Sequence, residues 1–342
     1  MKILLFPLFF IPLHAKDPGI LGGILSRARK EANIPAVAAI AFDPEIILRF
    51  KVIGTTRSDK EIPVAKDAAW HIGSDAKAMT ATLMAILIEK TLAKWDTTMA
   101  EIFPELAGEF HAKARKTTIT QLLSHTAGLP ANPEPIERIK SRLAVTKIGL
   151  TLEPNEGFSY SNYGYIIAGA VIEKLLDTTW EKAIQKHLFA PLGIKTVDFG
   201  APKGPKAIRG HRNGKPVGTG FFGDNPTLYG PAGGLHLSLS DWVLFCQDHI
   251  KGHHGKGKLL KQATYQKLHT PVLKNYALGW GTQSEGGKVT RLSHDGSNTM
   301  WYARATLNLE SKTGFLITLN TASDEAKEWV PKIAAVIASK NK

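Results

Sequence analysis

Strand-like segments sit at the two ends of this chain, and a long helical stretch separates them. Near the N-terminus, residues 36–41 and 46–53 are short apolar runs joined by Asp43-Pro44, which reads as an antiparallel hairpin. Near the C-terminus, residues 276–281, 288–293, 300–309 and 314–320 read as strands separated by Gly, Asn or Ser clusters. Strands at both ends can bury their apolar faces in a single sheet if the two termini pair. That predicts one sheet closed by the two termini, with the middle as an inserted helical lobe.

Helical spacing fills in the rest. Residues 18–32 place Ile20, Ile24, Leu25 and Ala28 on one face, and Pro35 ends that region. Residues 75–90 carry Met79, Leu83, Ile86, Leu87 and Lys90 with Ala and Thr between them, so this helix is apolar on most sides and is expected to be central. Residues 163–176 and 239–250 are two further helices, the second with Ser240 or Asp241 as its N-cap. Residues 200–220 and 251–258 are rich in Gly, Pro and Lys and read as long loops. A closing helix is expected at about 324–339, carrying Trp329, Val330, Ile333 and Val336.

The first fifteen residues differ from the remainder. Lys2 precedes an apolar run from Ile3 to Leu13 that is too short for a comfortable membrane span and ends at Ala15. A basic start, a short apolar core and a small residue at the cut predict a secretory signal over residues 1–15 and a secreted or periplasmic location. Pro7 and Pro12 argue against a buried central strand there. No later stretch has membrane length, so no stable membrane insertion is expected after signal removal.

With 342 residues and 43% hydrophobic content the chain can build a sizeable core. Its single cysteine, Cys246, excludes an intrachain disulfide, Cys-rich zinc modules and CxxC redox chemistry. It lies in an apolar helix, where core packing is the expected role. The net charge of +13 does not choose a partner by itself. Lys195, Lys203, Lys206, Arg209, Arg212 and Lys215 concentrate charge in one stretch. This motivates an alternative reading, a catalytically weak binding protein for cell-wall fragments or other anionic polymers, although a solvated loop is the plainer account. No nucleic-acid recognition motif is present.

Several motif matches carry little. Gly218 to Gly223 fits GxGxxG, but Asp-Asn-Pro follows instead of a helix. The stretch Gly252 to Lys258 approaches a phosphate loop, with Leu259 where Ser or Thr is required. His253-His254 in a Lys-rich loop reads as a solvated pair. There is no HExxH and no GxSxG, so neither a zincin site nor a nucleophile elbow is indicated, and no metal or organic cofactor is expected.

Ser74-Asp75-Ala76-Lys77 is sharper. Serine is a poor nucleophile at its own pKa and needs a base. A lysine three residues into a helix lies on the face of a serine at its start. The helix N-terminus adds N–H groups and a positive field. Burial against Met79 and Leu83 would lower the lysine pKa toward the amine that accepts a proton. SxxK recurs at Ser339–Lys342, so its place before the most apolar helix matters.

Tyr160-Ser161-Asn162 precedes another apolar helix. A tyrosine hydroxyl can relay protons once a nearby ammonium lowers its pKa, and the Asn amide can position an acyl group. His294-Asp295-Gly296 lies between two candidate strands and would set an imidazole and the N–H of Ser297 beside a cleft.

SxxK, YxN and (K/H)xG in this order resemble the penicillin-recognising serine hydrolases. The branch is that of class C β-lactamases, D-Ala-D-Ala carboxypeptidases, D-aminopeptidases and related esterases. Two more stretches fit the branch, Gln121-Leu-Leu-Ser-His-Thr-Ala-Gly-Leu129 and Gly230-Pro-Ala-Gly-Gly-Leu235. The resemblance spans about residues 18–339.

It implies a three-layer α+β fold, an antiparallel sheet of both chain ends flanked by helices plus an all-helical lobe. The single hydrolase domain would run over 16–342. Its α/β lobe would take about 16–70 plus 272–342, and the helical lobe about 71–271. It also implies Ser74 as nucleophile, Lys77 as its base and Tyr160 as proton shuttle. Asn162 would hold the acyl side chain. His294, Gly296 and Ser297 would line the substrate site, with the N–H groups of Ser74 and Ser297 as oxyanion hole.

The β-lactamases normally carry Lys-Thr-Gly where this chain has His294-Asp295-Gly296. A histidine is only partly charged near pH 7, and Asp295 repels a carboxylate-ended substrate unless it points away or pairs with a cation. The expected substrate is therefore a small molecule or peptide: an ester, an amide, a D-amino-acid peptide or a β-lactam. Asp75 would either face away from Lys77 or hold it charged.

Overall fold

The structure, a computed structural model, describes residues 18–134, 138–218 and 223–339. The signal segment 1–15, the interior of the Gly218–Gly223 match and the Lys342 end of the second SxxK lie outside the described residues.

The two chain ends form one sheet. Strands β1 (Ala36–Phe42), β2 (Ile47–Arg57) and β3 (Lys60–Pro63) come from the N-terminal side, and β9 (Gly281–Glu285), β10 (Lys288–Ser297), β11 (Tyr302–Asn308) and β12 (Thr313–Leu319) from the C-terminal side. Their order is β3-β2-β1-β12-β11-β10-β9 with antiparallel neighbours throughout. The seam between the ends is β1 against β12, from Val37 opposite Leu319 to Phe42 opposite Gly314.

Every residue of β1 is buried, because both sheet faces are covered. Ala36, Ala38, Ile40 and Phe42 face the central core with Trp70, Met79 and Leu83. Val37, Ala39 and Ala41 face an outer layer built by the helices Pro18–Glu31 and Trp329–Ala338. This is the three-layer α+β arrangement.

The helix Ala76–Glu89 is the centre of the molecule, buried from Ala76 through Leu87. Cys246 is buried in the helix Leu239–His253.

Several expectations need correction. The N-terminal helix buries Leu21, Leu25 and Ala28 while Ile20 stays 66% exposed; the partner helix, through Trp329 and Ile333, selects the face. The helix Leu239–His253 is capped by Ser238, whose extended backbone lets its hydroxyl accept from the Asp241 amide. Asp241 instead accepts from the Lys195 and Thr196 amides.

Residues 276–280 form no strand. Gly279 turns there with φ +83°, and a Cβ would sit 2.7 Å from the Ala78 Cα, so this segment bends closely over the central helix. The closing helix is split into Asp324–Lys327 and Trp329–Ala338.

The middle region is not purely helical. It holds β4 (Ala69–His71), β8 (Leu235–Ser238) and β5 (Asp198–Phe199) as a small sheet, and β6 (His211–Arg212) with β7 (Lys215–Pro216) as a hairpin. The expected loop at 251–258 begins inside a helix. His253 and His254 are bonded rather than merely solvated, His253 to His269 at 3.2 Å and His254 to the Leu309 carbonyl at 2.8 Å. No helix among the described residues is long and apolar enough to cross a membrane.

Candidate active site

Ser74 sits in a 3-10 turn, Gly73–Asp75, between β4 and the central helix. Gly73 has φ +52°, and a Cβ there would lie 2.4 Å from the backbone N of Ser297. That backbone favours glycine, and the close approach leaves no room for a side chain. The end of β10 is thereby pressed against the turn that carries Ser74, and the two backbone nitrogens assigned to the oxyanion hole become neighbours.

Lys77 is fully buried. Its Nζ lies 3.0 Å from Ser74 Oγ, 2.7 Å from Asn162 Oδ1 and 2.6 Å from the Ala232 carbonyl. Burial pushes its pKa well below the usual lysine value, with Asp75 opposing weakly. A neutral amine has two N–H bonds and one lone pair. Both carbonyl oxygens only accept, so they take the two N–H bonds. The lone pair is left facing the Ser74 hydroxyl. Ala232 belongs to the 230–235 stretch, whose Pro231 carbonyl also accepts from Thr80.

Asn162 opens the helix Asn162–Leu176, with Ser161 as its N-cap. Its Oδ1 is committed to Lys77, and its Nδ2 donates to Asn132 Oδ1 at 2.8 Å. One amide proton remains for a ligand.

Tyr160 keeps 38% of its surface exposed, while its hydroxyl end is enclosed. The expected lowering of its pKa by an ammonium is not what the structure has. Burial raises the phenol pKa, and a hydrogen bond with Ser74 only opposes the rise. The physical reason is that Lys77, 4.9 Å from the Tyr160 ring centre, is itself driven toward the uncharged form.

His294 lies on β10 opposite Ala305. Its Nδ1 donates to the Asp295 carbonyl at 2.9 Å, so its Nε2 accepts from the Tyr276 hydroxyl at 3.2 Å. Burial above all lowers its pKa to about 4, which makes it a neutral imidazole at pH 7. Asp295 points away, in a two-pronged pair with Arg304 at 2.5 and 2.7 Å. Gly296 lies on the same strand, where a Cβ would be 1.8 Å from the Ile72 carbonyl.

Asp75 does not face solvent. It is buried beneath Gly296, and neither carboxyl oxygen meets a side-chain donor among the described residues. Burial, helped by Asp295, pushes its pKa well above the carboxylate range. The neutral acid is favoured, which removes the reason for it to hold Lys77 charged.

Four participants were missed as individual residues. His125, at φ +61°, accepts the Ser161 amide, and its ring packs at a tilt 4.2 Å from the Tyr160 ring and 4.7 Å from that of Tyr276. Burial lowers its pKa to about 2. The 121–129 stretch was the only signal for it.

His71, Asp224 and Asn298 are the others. The Gly73 amide donates to His71 Nδ1 at 3.2 Å, so the ring proton is on Nε2, 3.0 Å from Asp224 Oδ2. Asp224 Oδ1 accepts from Asn298 Nδ2 at 2.7 Å, and Asn298 Oδ1 accepts the Met300 and Trp301 amides. One carboxylate therefore ties the Ser74 turn to the segment after Ser297. No spacing rule links positions 71, 224 and 298.

A cleft of about 470 Å³ opens beside Ser297 and Asn162, lined also by Asn132, Arg212, Asn225 and Tyr229. Among the described residues no group of three His, Cys, Asp or Glu is arranged to hold a metal ion.

A family model described as Beta-lactamase matches residues 23–337. A relative, Penicillin-binding protein 4 of Amycolatopsis lactamdurans, is 28% identical over 236 residues, covering 65% of this chain and 61% of that protein. The chain thus spans about three fifths of the length of that curated relative. The class C beta lactamase from Rhodobacter sphaeroides superposes with a TM-score of 0.76 at 18% identity, over 93% of this chain and 99% of that one. The Beta-Lactamase/D-Alanine Carboxypeptidase from Pseudomonas syringae does so at 0.76 and 16% identity, over 94% and 100%. At such identities these two likenesses show the fold.

Proposed function

Because the chain belongs to the Beta-lactamase family, we propose that it is an exported serine hydrolase acting through an acyl-enzyme on Ser74. The supporting observation is the donor count at Lys77, which leaves a lone pair aimed at Ser74 Oγ. Lys77 takes the Ser74 proton as Oγ attacks the substrate carbonyl. The N–H groups of Ser74 and Ser297 stabilise the oxyanion. Tyr160, held in its protonated form, relays a proton to the leaving atom by accepting one hydrogen bond and donating another. Water then repeats the sequence on the acyl-enzyme.

The substrate class is an ester, amide or D-amino-acid peptide, with β-lactams as one member. His294 is neutral at pH 7 and its Nδ1 proton is spent on its own strand, so it offers no cation to a leaving group's carboxylate. The free Asn162 amide proton faces the acyl side. Export rests on residues 1–15 and is tested by sequencing the N-terminus of the secreted protein.

The test is intact-mass labelling with a fluorophosphonate. One adduct is expected on wild type and none on Ser74→Ala; an unlabelled wild-type protein sinks the proposal. Lys77→Ala is expected to lower kcat/KM by about 10²–10⁴-fold, the usual worth of a positioned base. Nitrocefin, p-nitrophenyl esters and D-amino-acid p-nitroanilides then sort the substrate class.

A further inference from the structure

The β6–β7 hairpin has a pinned base and one functional arm. His211 is buried, its Nδ1 on the Asn320 carbonyl at 2.8 Å and its Nε2 accepting the Ser58 amide at 3.0 Å. Its own amide donates to the Met300 carbonyl. A Cβ on Gly210 would be 2.8 Å from Met300 and Trp301, so this strand lies tightly on the β10–β11 turn. From that base Arg212 reaches into the cleft beside Ser297 and Asn162.

Its Nη2 donates to Thr299 Oγ1 at 2.9 Å. Thr299 is β-branched yet has φ +73°, a costly backbone that its amide's bond to Ser297 Oγ helps to hold. Strain of this kind persists where the surroundings over-determine a side chain's position. Arg212 makes no ion pair with a carboxylate among the described residues. Asp224 shares the cleft, but its two oxygens are engaged by His71 and Asn298. A guanidinium has five N–H donors, and one is used here. The same cleft is lined by Asn132 and Asn162. Asn162 is the residue assigned to hold an acyl group, and His294 is not among those that line this cleft.

We propose that Arg212, braced by Thr299, binds an anionic group on the acyl part of the substrate, so that preferred acyl donors carry a carboxylate a few atoms from the scissile carbonyl. The inference rests on the acyl-enzyme reading of Ser74. It deepens that reading by assigning the substrate's charge to the acyl side, where a planar guanidinium and a carboxylate can form two parallel hydrogen bonds. The cleft volume of about 470 Å³ suits a short chain.

The experiment compares the p-nitrophenyl monoester of succinic acid with the same ester carrying a methyl-capped carboxylate. The readout is the ratio of the two kcat/KM values. Wild type is expected to favour the anionic ester, and the ratio is expected to fall about ten- to hundredfold in Arg212→Gln, the usual worth of a hydrogen bond to a charged group. Arg212→Lys is expected to keep part of the preference. Lys215→Gln, an exposed cation on the same hairpin, is expected to keep all of it. Should Arg212→Gln not fold, raising salt with wild type is expected to lower the ratio by screening. A wild-type ratio at or below one, or a ratio unmoved in Arg212→Gln, overturns the proposal. Fluorophosphonate labelling of wild type separates the two failures. An adduct with an unmoved ratio refutes only the Arg212 assignment, and absence of the adduct refutes the acyl-enzyme reading beneath it.

Discussion

Replacing Asp224 by Asn changes one atom and breaks a closed hydrogen-bond account. In the native cluster Oδ2 accepts from His71 Nε2, and Oδ1 accepts from Asn298 Nδ2 and the Asn225 amide. An Asn there offers one acceptor and one NH2. If the NH2 faces His71, two donors meet; shifting the ring proton to Nδ1 moves that conflict to the Gly73 amide. If the NH2 faces Asn298, flipping that amide points it at the Met300 and Trp301 amides. Every arrangement leaves a buried donor unpaired, at a cost of about 1–3 kcal/mol. In a chain of this size that corresponds to a drop in Tm of roughly 1.5–4 °C. The conflict falls on the Gly73 amide in one arrangement and on the Asn298 segment after Ser297 in the other, so either way the placement of Ser74 against Ser297 is disturbed. Since one oxyanion donor is worth about 10²–10³ in kcat, a shifted hole is expected to lower kcat by roughly 10²-fold while KM changes little. Calorimetry and steady-state ester hydrolysis read both. A variant with wild-type kcat and an unmoved Tm would refute the clamp.

Asp75→Asn replaces a carboxyl that burial keeps in its neutral form. The acid limb of the kcat/KM pH profile is therefore expected to stay in place, and a shift by a pH unit would mean that Asp75 sets the Lys77 charge after all. Acid is expected to destabilise the fold. His249, His294 and His125 are lowered to about 3, 4 and 2 from 6.5, so the unfolded chain binds more protons than the native one below pH 6.5. Their contribution is whole above that pH and is lost as pH falls toward 3. A Tm that is flat between pH 7 and 4 would contradict their neutral burial.

Layout was legible because it rests on local pattern. Apolar runs at the two ends can share one sheet if the termini pair, and β1 against β12 is that pairing. The apolar run from Ala76 to Leu87 announced a central helix for the same reason. The errors came where a distant surface overrode the local signal. Ile20 lost its place to Leu21 because of Trp329 and Ile333. Residues 276–280 bend over Ala78 instead of running on as a strand.

At the site, the sequence alone singled out Ser74, Lys77, Tyr160, Asn162 and His294, because their chemistry shows in short motifs at fixed spacing. Charge states are not written that way. Whether Lys77 is an amine or an ammonium depends on complete burial and on the Asn162 and Ala232 oxygens, which are 85 and 155 residues distant. Asp295 is disarmed by Arg304 across the strand pair. Asp224 joins residues 71 and 298 only once the turn carrying Ser74 packs against the end of β10. Burial and long-range hydrogen bonding are properties of the packed chain, and they alone decided which groups are neutral, which are charged and which hold the others in place.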